Sequence, residues 1–114
     1  MDTSETYIKM CEKAVEIQKI WNPTFGDWLQ DEYISIVTDE ELARENKKKN
    51  DVWLPRQDQL QEMVGCNPGN WIIWMDKFIS DREYFYTLEQ TWLAFVMKKK
   101  YGKIWNGEDW VVVK

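Results

Sequence analysis

Eight tryptophans in a chain of 114 residues are the feature that most constrains how this sequence folds. A tryptophan side chain is large and mostly apolar, so this many must either build a core or form an aromatic contact surface. They occur throughout the chain, as Trp21, Trp28, Trp53, Trp71, Trp74, Trp92, Trp105 and Trp110. A chain of this length fits one domain, residues 1–114, with a hydrophobic core large enough to be stable without disulfides or a structural metal.

The chain contains no histidine, and this argues against the ordinary enzyme classes. Histidine is the usual acid–base catalyst near neutral pH and the commonest metal ligand. Without it there is no Ser/His/Asp or Cys/His arrangement, and the five glycines form no phosphate-binding loop. The composition predicts a protein that is not an enzyme and has no cofactor or metal.

An all-carboxylate metal site, as in magnesium-dependent nucleases, is the enzymatic alternative. Glu45 and Lys47 have the E-x-K spacing of one nuclease class, although they fall in a polar helical stretch rather than on a buried strand. Asp58 and Glu62 lie on one helical face, where neighbouring Arg56 offsets their repulsion.

Negative charge is concentrated in the first part of the chain. The net charge is −5, and residues 1–45 hold eleven acidic and four basic residues. This balance disfavours binding to duplex DNA, which depends on Lys and Arg. It predicts an acidic surface that binds a basic partner. The candidate residues are Asp27, Asp31, Glu32, Asp39, Glu40 and Glu41.

The termini and cysteines predict a cytoplasmic protein. Cys11 and Cys66 have no metal-binding spacing, which favours a reduced compartment. The opening MDTSETY has no features of a secretory signal, and no apolar run is long enough to span a membrane.

The first half of the chain predicts a helix, a hairpin, a short helix and a strand. The first helix is capped by Asp2, Thr3 or Ser4 and ends at Asn22-Pro23. Its buried side is predicted from residues that recur at helical spacing: Tyr7, Cys11, Ala14, either Ile17 or Gln18, and Trp21. Residues 27–37 favour a hairpin with Asp31-Glu32 between its strands. Thr38 and Glu41 form a capping box for a helix over 39–47, and residues 52–54 favour a strand.

The second half predicts three helices and a terminal hairpin. The first helix covers 55–64, between Pro55 and Gly65, and the second covers 71–80. Thr87 and Gln90 cap the third, over 88–101, whose apolar middle at 92–97 is typical of a buried helix. Asn106-Gly107 indicates a two-residue hairpin turn. The fold class is therefore α+β, with four to five helices packed with a small antiparallel sheet, and a buried C-terminal helix followed by an Asn-Gly hairpin.

A second candidate site lies in the glutamine-rich helix and the terminal hairpin. Trp53, Arg56, Gln57 and Gln61 form a face suited to bonding a peptide backbone or bases, or serve as polar cover. Trp105 and Trp110 either clamp the helix beneath them or form an exposed anchor.

Three segments carry a resemblance to a family. They are YIKMCEKAVEIQKIW at 7–21, WLPRQDQLQEM at 53–63 and TLEQTWLAFVMKKKYGKIWNGEDW at 87–110. In these segments the chain resembles a family of small uncharacterised proteins encoded by phages and prophages of Gram-positive bacteria. The resemblance covers most of the chain and is weakest at about 30–50. It implies a source and a compartment, and it supplies no catalytic residue.

The function that these observations favour is non-catalytic binding to a host or phage macromolecule. An acidic inhibitor of a host nucleic-acid-guided defence nuclease, resembling an anti-CRISPR protein, is the specific form, because an acidic face can occupy a basic nucleic-acid channel. A single-strand nucleic-acid binder that stacks bases on tryptophan is the second hypothesis. A phage accessory enzyme with a carboxylate metal site is the third. No membrane partner is expected, and the sequence does not specify the oligomeric state.

Overall fold

The computed structural model describes residues 1–45, 47, 51–65 and 87–112. These residues contain five helices and five strands, the strands forming two antiparallel sheets, so the α+β class is confirmed. The predicted helix over 71–80 lies outside the described residues. The chain divides into two compact units, Met1–Arg56 and Gln57–Lys114. The single domain expected from the length of the chain stays a prediction.

Two short helices open the first unit where the sequence predicts one longer helix. Helix α1 is Glu5–Lys13, and its N-cap is Ser4, whose hydroxyl accepts from the Tyr7 N–H at 3.3 Å. The backbone leaves the helical region at Ala14 (ψ 68°), and helix α2 is Val15–Lys19. In a continuous helix the Cys11 carbonyl would accept from residue 15. Here it accepts from the Ala14 N–H at 3.1 Å and from the side-chain amide of Gln18 at 3.0 Å, and these two bonds support the break.

A three-stranded antiparallel sheet follows, as the hairpin and strand patterns predict. Its strands are β1, Trp28–Gln30, β2, Ile34–Ile36, and β3, Val52–Leu54. The order is β2-β1-β3, so β1 is central and the other two strands are edges. The Gly26 N–H donates to the Val37 carbonyl and the Val37 N–H to the Asp27 carbonyl, both at 2.8 Å. Gly26 has φ 87°, so the hairpin begins with a bulge that favours glycine.

Burial falls steadily across this sheet. All three residues of β3 are buried, the residues of β1 are half-buried, and β2 is mostly exposed. Helix α1 packs against β3, where the buried Tyr7 hydroxyl donates to the Pro55 carbonyl at 2.5 Å. The core of this unit therefore lies beneath β3 and leaves β2 at its margin.

Helix α3, Glu40–Glu45, lies beside the loop that precedes the sheet. Asp39 caps it by accepting from the Leu42 N–H at 3.1 Å, so the predicted capping role of Thr38 is wrong by one residue. Arg44 Nε donates to the Pro23 carbonyl at 2.9 Å, and Lys47 Nζ donates to the Trp21 carbonyl at 2.6 Å. The Arg44 bond holds α3 against Pro23, and the Lys47 bond holds the chain after the helix against Trp21.

The second unit contains helix α4, Gln57–Val64, and helix α5, Leu88–Tyr101. Helix α4 starts two residues later than predicted, after the buried Pro55, whereas α5 has the predicted bounds. Thr87 caps α5 by accepting from the Gln90 N–H at 3.2 Å. Its middle, residues 90–97, is buried all round, as the apolar run predicts. Gly102 ends the helix in the left-handed conformation with φ 64°.

A two-stranded hairpin follows α5, with β4 at Lys103–Trp105 and β5 at Trp110–Val112. The predicted Asn-Gly hairpin is confirmed, with Trp105 paired to Trp110, but its turn comes one residue later than the dipeptide predicts. The Asn106 N–H donates to the Asp109 carbonyl at 3.0 Å, so Gly107 and Glu108 lie at the tip of the loop. Asn106 organises that loop, since its Oδ1 accepts from the N–H groups of Glu108 and Asp109 at 2.9 and 2.8 Å. Among the described residues, no helix has both the length and the apolar character to cross a membrane.

Candidate functional site

Five acidic residues lie near the two ends of the exposed strand β2, and we call them the acidic rim. Two lie in the turn before the strand and three follow it, and all are exposed except the half-buried Glu40. The rim consists of Asp31, Glu32, Asp39, Glu40 and Glu41. No lysine or arginine occurs in the sequence between Lys19 and Arg44. The rim therefore has no basic residue between its members, and the nearest one in the sequence is Arg44, which pairs with Glu40.

Three rim carboxylates also stabilise local structure. Asp31 Oδ1 accepts from the Tyr33 N–H at 2.9 Å, and Asp39 caps α3. Glu40 accepts from the Phe25 N–H at 2.9 Å and lies 3.6 Å from Arg44 in a pair that is exposed on both sides. These contacts fix where the carboxylates stand and leave their outer surfaces in solvent.

Glu32 and Glu41 are the two rim residues whose side chains form no hydrogen bond or ion pair with any residue that the structure describes. Both side chains are exposed. No described side chain pairs with either charge, so both can interact with a cationic partner.

Asp27, the sixth predicted acidic residue, does not belong to the exposed surface. It is only 2% exposed, and its Oδ2 accepts from the indole Nε1–H of Trp21 at 3.0 Å and the backbone N–H of Thr24 at 2.9 Å. Arg56 lies 3.8 Å from its other oxygen. A buried carboxylate needs such donors to offset its lost hydration. The prediction that Asp27 belongs to the acidic face is therefore wrong. Its buried carboxylate connects the loop at 24–27 to Trp21 and Arg56.

Arg56 and Trp53, two residues of the alternative site, are also engaged inside the first unit. Arg56 Nη1 donates to the Gly26 carbonyl at 2.7 Å, in addition to its pair with Asp27. Trp53 is buried and stacks on Trp21, with ring centroids 6.2 Å apart and planes 6° from parallel. The prediction that Trp53 is an aromatic contact residue is wrong, because its ring belongs to the core.

Gln18 and Trp21 have structural roles that the sequence pattern did not predict. Gln18 Nε2 donates to the Trp53 carbonyl at 2.9 Å, and its Oε1 accepts from the Trp53 N–H at 2.8 Å. Lys47 Nζ lies 5.1 Å from the Trp21 ring centroid, on a ring that also stacks on Trp53. A glutamine among the apolar positions of the first helix is the signal that points to such a role.

The remaining alternative residues lie in the second unit. Gln57 and Gln61 are half-buried on α4. Trp105 is half-buried and Trp110 is buried, with ring centroids 5.1 Å apart and β4 in contact with α5. The interpretation of Trp110 as an exposed anchor is therefore wrong, because its ring is buried and lies against the ring of Trp105.

Cys11 is a free thiol within the core of the first unit. Burial raises the pKa of this thiol far above its ordinary value, while the hydrogen bond with Tyr7 lowers the pKa and the nearby Asp2 charge raises it further. Since the thiolate is the reactive form, we expect Cys11 to be unreactive in the folded protein.

Across residues 1–45, 47, 51–65 and 87–112, no group of three or more His, Cys, Asp or Glu side chains is placed to hold a metal ion. Comparison of the chain with protein-family models, with curated proteins and with solved structures finds no match.

Proposed function

We propose that this protein is a non-catalytic interaction protein whose acidic rim binds a basic surface of a host or phage protein. The observation that supports the proposal is the exposure of the rim carboxylates in a segment without Lys or Arg. A single-sign surface of this kind attracts the opposite charge over about a Debye length, roughly 10 Å at 0.1 M salt.

The resemblance to phage and prophage proteins makes the proposal more specific. The partner is then a host protein with a basic nucleic-acid channel, and a nucleic-acid-guided defence nuclease is the best fit. An acidic protein inhibits such an enzyme by occupying the channel that its nucleic acid would use.

The test is affinity capture from a lysate of a Gram-positive host with three forms of the protein. The first is wild type, and the second is the double variant Glu32→Lys/Glu41→Lys, which reverses the two rim charges that have no partner among the described residues. The third is Glu12→Lys/Glu62→Lys, a control that changes the net charge equally at positions outside the rim.

The proposal predicts that wild type and the control retain the same basic protein at about 50 mM salt. The rim variant should lose most of it, and wild type should release it as salt rises, since screening weakens exposed charges. The proposal is wrong if the rim variant retains the protein as well as the control does. A wild-type chain that captures no basic protein at low salt contradicts it equally.

A further inference from the structure

We propose that β2 is a docking strand, and that an extended segment of the partner with basic residues at both ends adds to the sheet along its free edge. The inference rests on the proposed function, because it names how the partner of the acidic rim binds. It adds a backbone-mediated mode of recognition to an electrostatic one.

The hydrogen-bond register shows which backbone groups β2 presents outward. In an antiparallel pair, residues alternate between bonding across the pair and pointing away from it. The Val37 N–H bonds to the Asp27 carbonyl, and the Asp31 N–H bonds to the Tyr33 carbonyl. Leu29 and Ser35 lie midway between these two bonded positions, so alternation makes them the next pair whose backbone groups bond each other. The N–H and C=O groups of the remaining β2 residues, Ile34 and Ile36, then face away from β1.

The two edges of the sheet are treated differently. The outward N–H and C=O of Trp53 on β3 are both bonded by the Gln18 side chain. No described residue bonds the outward groups of Ile34 and Ile36 on β2. An unpaired edge readily adds another strand, and proteins usually cover or disrupt such an edge. Within the described residues, the β3 edge is closed by Gln18 and the β2 edge is left unbonded.

The side chains along the open edge suit an added strand. Tyr33 is 73% exposed and Ile36 is 46% exposed, and Ser35 is exposed between them. These two apolar side chains point to opposite faces of the sheet, so an added strand would find an apolar neighbour on each face.

Charge decides which strand the edge accepts. A second copy of this chain, paired antiparallel along β2, would bring Asp31 and Glu32 of one copy against Asp39 and Glu41 of the other. Like charges directly opposite each other are destabilising in a sheet. A segment with lysine or arginine at each end meets opposite charge at both ends instead, and this selects a basic partner over self-association.

Two protein variants separate the backbone contribution from the charge contribution. Ile36→Pro removes an outward N–H and leaves the rim intact, and proline is tolerated where an edge N–H faces solvent. Ile36→Val is its control, because it keeps the N–H and the β-branched shape. Glu32→Lys/Glu41→Lys removes the charge and leaves the edge intact. Circular dichroism and thermal melting establish that each variant is folded.

The probe is the capped peptide acetyl-Lys-Thr-Val-Thr-Val-Thr-Lys-amide, which spans about 23 Å when extended. Two further peptides carry backbone N-methyl groups, on both valines or on the central threonine. Alternate residues of an added strand face the protein, so methylation of one set should weaken binding about tenfold or more and methylation of the other should not. Binding is measured from the amide NMR shifts of Ile34, Ser35 and Ile36.

The inference predicts that Ile36→Pro and the rim variant each weaken peptide binding at least tenfold, while Ile36→Val binds like wild type. If only the rim variant weakens binding and both methylated peptides bind equally, the docking strand is wrong and the acidic-rim function stands. If neither variant weakens binding, both are wrong. The absence of shifts at β2 at millimolar peptide overturns the inference, as does a wild-type dimer that buries β2. If Ile36→Pro does not fold, the two methylated peptides still test the docking strand, because only an added strand makes them bind unequally.

Discussion

The side-chain amide of Gln18 bonds both backbone groups of Trp53, much as a neighbouring strand would. The two residues are 35 positions apart, and the bonds form because the helix breaks at Ala14 and begins again before Gln18. This contact closes the β3 edge of the sheet. The β2 edge, which no described residue bonds and which has acidic residues at both ends, is the edge that we propose for docking.

Loss of the Gln18 amide should destabilise the first unit. Gln18→Ala leaves the N–H and C=O of the buried Trp53 without these partners, so we expect a loss of about 2–3 kcal/mol in the free energy of unfolding, measured by urea titration. The control Gln61→Ala, a half-buried glutamine on α4, should cost about 0.5 kcal/mol or less. Equal effects of the two substitutions would mean that the Gln18 contact contributes nothing specific.

Asp27 should behave as a structural residue. Asp27→Ala strands the Trp21 indole N–H and removes one of the partners of Arg56, which predicts a loss of about 2–3 kcal/mol. This is below the roughly 3–5 kcal/mol typical of a fully buried pair, because Arg56 is one-third exposed. Glu32→Ala, which deletes an exposed rim carboxylate, should change stability by about 0.5 kcal/mol or less. If Glu32→Ala is the more destabilising change in thermal and urea unfolding, then Asp27 is not the structural acid and Glu32 is not merely a surface charge.

Helix α5 should be central to the stability of the second unit. Phe95 is buried and meets Trp92 edge-on, with ring centroids 5.6 Å apart. Phe95→Ala should cost about 3–5 kcal/mol, since it removes a large buried ring. Leu88→Ala, at a 58% exposed position of the same helix, serves as the control. A loss below about 1 kcal/mol for Phe95→Ala would show that this part of α5 is not core.

The thiol of Cys11 should be unreactive until the protein unfolds. In a Cys66→Ser background, iodoacetamide at about pH 8 should label Cys11 only after urea is added, because burial raises its pKa and blocks access. Since folding raises this pKa, its contribution to stability is complete below about pH 8.5 and decreases as pH rises further. Cys11→Ala should remove that part of the pH dependence. Rapid labelling of the folded protein would contradict the burial of Cys11.

Much of the local structure was predictable because it depends on residues close together in the chain. Thr87 and Gln90 marked the start of α5, and Gly102 marked its end. The hairpin over 27–37 followed from its β-branched and aromatic residues. Asn106 and Gly107 correctly indicated the terminal hairpin, but the bond from the Asn106 N–H to the Asp109 carbonyl places the turn one residue later than the dipeptide favours.

The candidate site was harder to predict because it depends on contacts between distant segments. In the sequence, Asp27 looks like the other acidic residues of its segment. No nearby pattern indicates that Trp21 donates to its carboxylate or that Arg56 lies beside it. Trp53 and Trp110 likewise could not be assigned to core or surface from spacing alone. The exposed acids Glu32 and Glu41 were identified correctly as surface charges, since no apolar periodicity includes them.

Residue-resolved amide hydrogen exchange, on the free protein and on its complex with the captured basic partner, tests the docking strand most directly. In the free protein, the Ser35 amide should be protected by its bond within the sheet, and the outward amides of Ile34 and Ile36 should exchange quickly. In the complex, Ile34 and Ile36 should become at least tenfold more protected while amides of α4 stay unchanged. Unchanged exchange at both residues in a complex that still depends on Glu32 and Glu41 would contradict the docking strand.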